Sequence, residues 1–311
     1  MGVGRVSQDI ILHHYWLSPF SERVRHYLSL KGLAWRSVEA PNIAPKPDLV
    51  ALTGGYRKAP VLQIGADIFC DSQIILRTLE RRFPEPRLMV GEEAYGVGYW
   101  VDRASFLPSI SLVLGTLREM IPPEFIQDRE AMFPDGSFNV EAMSRRLPQL
   151  KDQWRAQVAL VAEQLSDSRP FLFGDRPGVL DVVLSMNIRL LLQGAPHIAA
   201  PVLAEFPELS AWVARIGEIG QGDGTPMTAA EALAVARDGQ PQAEVSADPF
   251  DPNGLEPGMS VDVAAEDYGG DPVRGEVVFS NAREIAVRRR GPEVGEVVVH
   301  FPRAGFSVRR A

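Results

Sequence analysis

The spacing of apolar residues changes twice along this chain, and no single core can satisfy all three patterns. Up to about residue 85, short apolar runs alternate with helical spacing. Ile10, Ile11 and Leu12 form a strand-like run before a turn at Ser18-Pro19. A helix follows, with Val24, Tyr27, Leu28 and Leu30 on its apolar face and a stop at Gly32. Residues 34–38 read as a second strand. Residues 60–64 and 66–69 read as a hairpin around Gly65, and Asp71-Ser72 opens a helix carrying Ile74, Ile75 and Leu79. Residues 41–53 are proline-rich and give no assignable element. The order is βαβ followed by ββα, the thioredoxin-like pattern.

From residue 92 to about 237 the period is helical throughout. Long helices are expected over 92–120 and 140–166, a third apolar one from Val179, and shorter ones over 207–219 and 228–237. A polar, proline-bearing linker spans 239–253. The remaining residues alternate at period two, with Val261 and Val263, Val277 and Phe279, Ile285 and Val287, Val297 and Val299, and Phe306 and Val308 as the apolar pairs. Five such strands suggest a small barrel of the SH3-like or OB-like type. At 311 residues the chain exceeds one ordinary core. Three domains are therefore expected: 9–85 thioredoxin-like α/β, 92–238 all-helical, and 254–311 small all-β. The last is expected to fold independently, leaving a chain of residues 1–245 folded without it.

The formal net charge of −8 argues against nucleic acid or an anionic membrane as a partner. A single cysteine, Cys70, excludes an intramolecular disulfide framework and a cysteine-based zinc site. His13 and His14 lie on the first strand without a ligand motif, so no metal is expected. No apolar stretch approaches the length of a membrane span, and the N-terminus shows no secretory pattern, so a soluble cytoplasmic protein is the expectation.

Three segments of the first domain carry chemistry. They are Tyr15-Trp16-Leu17-Ser18-Pro19-Phe20-Ser21, Arg57-Lys58-Ala59-Pro60-Val61-Leu62 and Phe69-Cys70-Asp71-Ser72-Gln73-Ile74-Ile75. In order and spacing they resemble the glutathione S-transferase superfamily, in its serine-type classes and especially the tau class. Omega-class members carry cysteine where Ser18 stands. The resemblance covers about 80 residues, and the helical block behind them is the partner such domains have.

The resemblance implies glutathione as co-substrate, and each segment has a physical reason to serve it. Ser72 opens a helix and offers donors to the γ-glutamyl carboxylate, with Asp71 accepting from the ammonium. A cis Ala59-Pro60 bond would turn the Ala59 backbone toward the ligand, and Lys58 could reach the glycyl carboxylate. A thiol with a pKa of about 8.5 is only roughly 3% ionised at neutral pH. The Ser18 hydroxyl at a helix N-terminus could hold the thiolate as a hydrogen-bond donor. Ser21 and Tyr15 are alternatives for that role, and Ser18 by itself also reads as an ordinary N-cap.

By the same resemblance, Tyr99, Trp100, Arg103 and Phe106 on the long helix, with Trp16 and Phe20, would line an electrophile pocket; core packing is the other reading. Cys70 reads as a small buried hydrophobe, Asp181 as half of a capping box with Gly178, and Arg288-Arg289-Arg290 as a solvated strand end. The implied activity is transfer of the glutathione thiolate to a small apolar electrophile, a detoxification chemistry, in a homodimer. The competing reading is a non-catalytic interaction module that uses the C-terminal β region.

Overall fold

A computed structural model of the chain describes residues 9–88, 93–133, 135–167 and 169–311. The first elements are β1 (Ile10–His14), α1 (Pro19–Leu30), β2 (Trp35–Glu39), α2 (Pro47–Thr53), β3 (Val61–Ile64), β4 (Asp67–Cys70) and α3 (Ser72–Arg82). Helices follow as α4 (Glu93–Trp100), a π turn at Val101–Ser105, α5 (Phe106–Leu117), α6 (Pro123–Met132), α7 (Val140–Arg145) and α8 (Leu147–Glu163). Next come α9 (Val179–Gly194), α10 (Pro196–Leu203), α11 (Pro207–Glu218), β5 (Gly224–Pro226) and α12 (Ala229–Asp238). The chain ends in β6 (Ser260–Ala265), β7 (Val273–Ser280), β8 (Glu284–Gly291), β9 (Gly295–Pro302) and β10 (Phe306–Arg310). Two units result: one holds the chain up to Ser21, Ala34–Thr78 and Asp223–Ala311, the other Glu22–Leu33 and Leu79–Gly222.

The first unit is built on one sheet in the order β10-β6-β7-β8-β9-β4-β3-β1-β2-β5. Its thioredoxin-like part is as the periodicity predicts: β1 parallel to β2, and β3 antiparallel to both β1 and β4. The proline-rich stretch contains α2, opened by Pro47 and closed by Gly54 at φ +85. Its Leu49 and Leu52 are buried.

The C-terminal strands do not form the separate domain expected for 254–311. β9 pairs in parallel with β4, matching Asp67 with Val298 and Phe69 with His300. Val261, Val277, Val297 and Phe301 share one core cluster with Leu52, Tyr56, Ile68 and Cys70. The physical reason lies in β9, whose two faces are both apolar. Val297 and Val299 enter that cluster, whereas Val298 packs on the other face with Val278 and Ala286. A strand buried on both faces needs a neighbour on each edge and a layer on each side. Within the extension, β6 to β9 form a meander and β10 returns to pair with β6, an SH3-like order rather than an OB-like Greek key.

Residues 223–238, expected in the helical block, also belong to this first unit. β5 pairs with β2, and α12 sets Ala232 against Ile11 and Val38. Small alanine side chains let the helix approach closely enough for Gln63 Nε2 to donate to the Ala232 carbonyl at 2.9 Å. Thr228 and Glu231 form a reciprocal capping box at its start.

In the second unit, Trp154, Val158, Leu180, Met186, Trp212 and Ile216 are buried. The long helix expected over 92–120 is interrupted by the π turn, and residue 92 lies outside the described residues. The helix expected over 140–166 breaks at Arg146, ahead of Pro148 in the first turn of α8. Asp181 opens α9 by accepting from the Gly178 N–H at 2.7 Å, the half-box the sequence predicts. It also accepts from the Leu172 N–H at 2.9 Å and the Trp212 indole at 2.7 Å. The polar face of α1 is buried as well: Arg23 pairs with Asp102 at 2.5 Å, and Glu22 with Arg189 at 2.6 Å.

Removing the strands after residue 245 would expose the β4 edge and strip Tyr56, Ile68 and Cys70 of their packing. An unpaired, flat apolar edge is an aggregation template. Residues 1–245 expressed alone are therefore expected to be insoluble or to lose cooperative urea unfolding, where the full chain unfolds cooperatively.

Two buried histidines of the first unit tie its stability to pH with opposite signs. His13, bonded to Gln63 at 2.9 Å, has its pKa lowered by burial to about 4. The unfolded chain then binds more protons between pH 6.5 and 4, so stability falls as pH drops through that window, by about 3 kcal/mol. His300 lies between Glu284 on β8 at 2.7 Å and Asp67 on β4 at 3.3 Å. Burial works to lower its pKa, but the two carboxylates outweigh it and raise it. Its contribution is complete below about pH 6.5 and is lost as pH rises through the raised value. Urea titrations across pH should show His13→Gln flattening the acid limb and His300→Gln the alkaline limb.

Candidate functional site

Antiparallel pairing of β3 with both β1 and β4 brings three chain segments to one end of the sheet. Val61 at the start of β3 lies opposite His13 near the end of β1 and opposite Cys70 at the end of β4. Residues 15–18, 58–60 and 71–72 lead from these positions, so the three sequence motifs converge. Helices α1 and α3 both begin at that end. Their first-turn N–H groups and dipoles favour an anion there.

Ser18 stands immediately before α1. Its Oγ accepts the Ser21 N–H at 3.1 Å, and its own N–H donates to the Tyr15 carbonyl at 3.1 Å. Capping uses a lone pair of the hydroxyl oxygen and leaves the O–H as a donor. The Ser21 hydroxyl is buried in the first turn and has no hydrogen-bond partner. The Tyr15 ring packs under Lys46, whose Nζ is 5.4 Å from the ring centre. Trp16 is about half exposed and meets His14 edge-on at 4.9 Å, next to Leu17, which is 82% exposed. Phe20 is half-buried.

The Ala59-Pro60 bond is cis, as expected. Asp71 is the one non-glycine residue with positive φ (+92°) among the described residues, a conformation costing about 1–3 kcal/mol. It is held by helix α3, whose Gln73 N–H donates to Asp71 Oδ1 at 2.9 Å and whose Ile75 N–H donates to its carbonyl at 3.1 Å. Ser72 is the buried first residue of that helix.

Lys58 has a partner within the chain. Its Nζ lies 2.7 Å from Asp267 Oδ1 and 4.6 Å from the centre of the Tyr268 ring, both supplied by the C-terminal extension. Sequence reasoning missed this pair, because the charge on Lys58 and the turn that neutralises it are some two hundred residues apart. It also missed Lys46. Within Arg288-Arg289-Arg290, Arg288 and Arg290 pair with Glu296 as a solvated strand end should. Arg289 instead turns inward and donates to the carbonyls of Ala51 and Leu52 at the end of α2.

In the second unit, Tyr99 and Trp100 are partly exposed at the end of α4, and the Arg103 guanidinium stacks 5.4 Å from the Tyr99 ring centre. Phe106 is buried.

Residues 12–87 match the family model for the glutathione S-transferase N-terminal domain, and residues 140–215 the model for the C-terminal domain. The crystal structure of a GST-like protein from Pseudomonas syringae is 36% identical and superposes with a TM-score of 0.80, covering 98% of this chain and 100% of that one. The match therefore runs through the C-terminal strands. Glutathione S-transferase U3 of Arabidopsis thaliana is 25% identical over 208 residues, 66% of this chain and 82% of that protein. Maleylacetoacetate isomerase of Pseudomonas aeruginosa is 29% identical over 184 residues, 56% of this chain and 77% of the isomerase.

Cys70 adjoins the convergent segments, yet it is fully buried, and burial followed by the Asp71 charge pushes its thiol pKa well above the usual value. A thiol of that kind is a poor nucleophile. Iodoacetamide at pH 8 should leave Cys70 unmodified in the native protein and label it after urea unfolding, as mass spectrometry would show.

Proposed function

We propose, because the chain belongs to the glutathione S-transferase superfamily, that it ionises the thiol of glutathione and delivers the thiolate to a small, apolar electrophile. The observation that carries this reading is the convergence of Ser18, the cis Ala59-Pro60 bond and Asp71-Ser72 at a sheet end where two helices begin. Ser72 and the start of α3 bind the γ-glutamyl carboxylate. Asp71, whose carboxylate also caps α3, accepts from the ammonium. The Ala59 backbone pairs with the cysteinyl residue in the manner of an added strand.

Ser18 stabilises the thiolate. Its oxygen already accepts a helix N–H, which polarises the hydroxyl toward donation. Lowering a thiol pKa by about two units requires about 2.7 kcal/mol of preference for the anion, within reach of a charge-assisted bond reinforced by the helix dipole. Ser21 is less suited, because it is the third residue of α1, whereas Ser18 stands ahead of the helix and caps it. Tyr15 is engaged with Lys46. Trp16 and Leu17, exposed beside Ser18, supply apolar surface for the electrophile. A cytoplasmic homodimer and a part in detoxification rest on the family resemblance.

The two serines separate binding from chemistry. Ser72→Ala removes a contact made equally in the ground and transition states, so it should weaken glutathione affinity by about 1–2 kcal/mol and leave turnover nearly unchanged. Ser18→Ala should cost about 1 kcal/mol of stability as a lost cap. It should also raise the bound thiol pKa by about one unit or more and lower turnover. Ultraviolet titration of the bound thiolate, with kinetics on an aryl halide, reads all of these. An unchanged thiol pKa in Ser18→Ala would move the role to Ser21 or Tyr15.

A further inference from the structure

Lys58 already holds a carboxylate. Its Nζ is 2.7 Å from Asp267 Oδ1, and its side chain is only 10% exposed. The rings of Tyr268, Tyr56 and Phe306 surround the ammonium at 4.6, 5.6 and 6.0 Å from their centres. Asp267 and Tyr268 sit in the turn joining β6 to β7, and that turn is anchored at both ends. The Glu266 N–H donates to the Gly305 carbonyl at 3.0 Å. At the other end, Pro272 lies so close to Gly55 that a Cβ there would stand 3.1 Å from its carbonyl oxygen. Gly55 has φ +141. The turn therefore closes on the segment leading to Lys58 through backbone contact as well as through the ion pair.

A cation paired this way offers little to a second carboxylate. An incoming carboxylate must either break the pair or lie against the charge of Asp267. We propose that Asp267 occupies the carboxylate place of Lys58, so that this protein accepts γ-glutamyl-cysteinyl thiols with a neutral, masked C-terminal carboxyl as readily as it accepts glutathione. The inference rests on the reading that glutathione lies at this sheet end with its glycyl group toward Lys58. It assigns to the C-terminal extension a determining part in ligand specificity. Asp267 acts through Lys58, so it is a positioning residue.

Calorimetric titration of the full chain with glutathione and with its glycinamide analogue tests this. The wild type should bind the two within about threefold. Asp267→Asn frees the ammonium, so it should tighten binding of the free acid and leave the amide unchanged, shifting the ratio by about tenfold, the scale of one charge-assisted bond. A purely structural loss would weaken both ligands together and leave their ratio where it was. The wild-type ratio requires no variant. A wild type preferring the free acid by tenfold or more, or a ratio unmoved in Asp267→Asn, overturns the proposal while leaving the glutathione reading intact. Failure of the wild type to bind either ligand overturns both.

Discussion

The antiparallel placement of β3 between β1 and β4 is the constraint on which the candidate site depends. It is set by the hairpin at Gly65, whose φ of +63 lets the chain reverse with Ile64 opposite Asp67. A one-residue slip would turn every side chain of β3 to the opposite face. Val61 and Leu62 would then leave their layers, and Lys58 to Pro60 would no longer stand beside Ser18 and Asp71. Register is held by burial, because all four residues of β3 are buried. The chemistry at the sheet end is a consequence of core packing along it.

The other edge of β4 decides how much of the chain forms one folding unit. A free edge there would need charge, a bulge or a cover. Here β9 supplies the cover, and His300 fixes the joint by bridging Asp67 on β4 and Glu284 on β8 while stacking on Phe69 at 4.3 Å. Asp67 also accepts the Gln242 N–H at 2.9 Å, so the segment following α12 is tied to the same joint. Buried charges arranged this way cost desolvation, and they are tolerable because each finds a partner.

Much of this was legible in the sequence. The βαβ–ββα order follows from local spacing, and the family resemblance implied the three motifs, the cis Ala59-Pro60 bond and the half-box at Gly178 and Asp181. What failed required distant partners. Alternation placed five strands after residue 253 but gave them a private core. The run Val297-Val298-Val299 carried the contrary signal, since apolar residues on both faces mark a central strand. Arg289 read as solvated because nothing local shows the carbonyls of Ala51 and Leu52 beside it. The sequence likewise shows no sign of what neutralises Arg23 and Glu22 on α1, since Asp102 and Arg189 come from helices far along the chain.

The residues at the sheet end that would meet a ligand also hold the fold. Ser18 accepts a bond from α1 and keeps its proton. Asp71 caps α3 with one oxygen while its backbone sits at an unfavourable φ. Such double use has a physical advantage. A hydroxyl free to rotate in solvent must be ordered when the thiolate forms, at a cost in entropy and solvent reorganisation. A hydroxyl already fixed by its role as a cap meets the developing charge in place. By the same coupling, simple truncations at these positions are expected to change stability and chemistry together. Lys58 is the exception. Its capacity is taken up by Asp267, so whatever occupies the glycyl end meets a neutralised pair rather than a free cation.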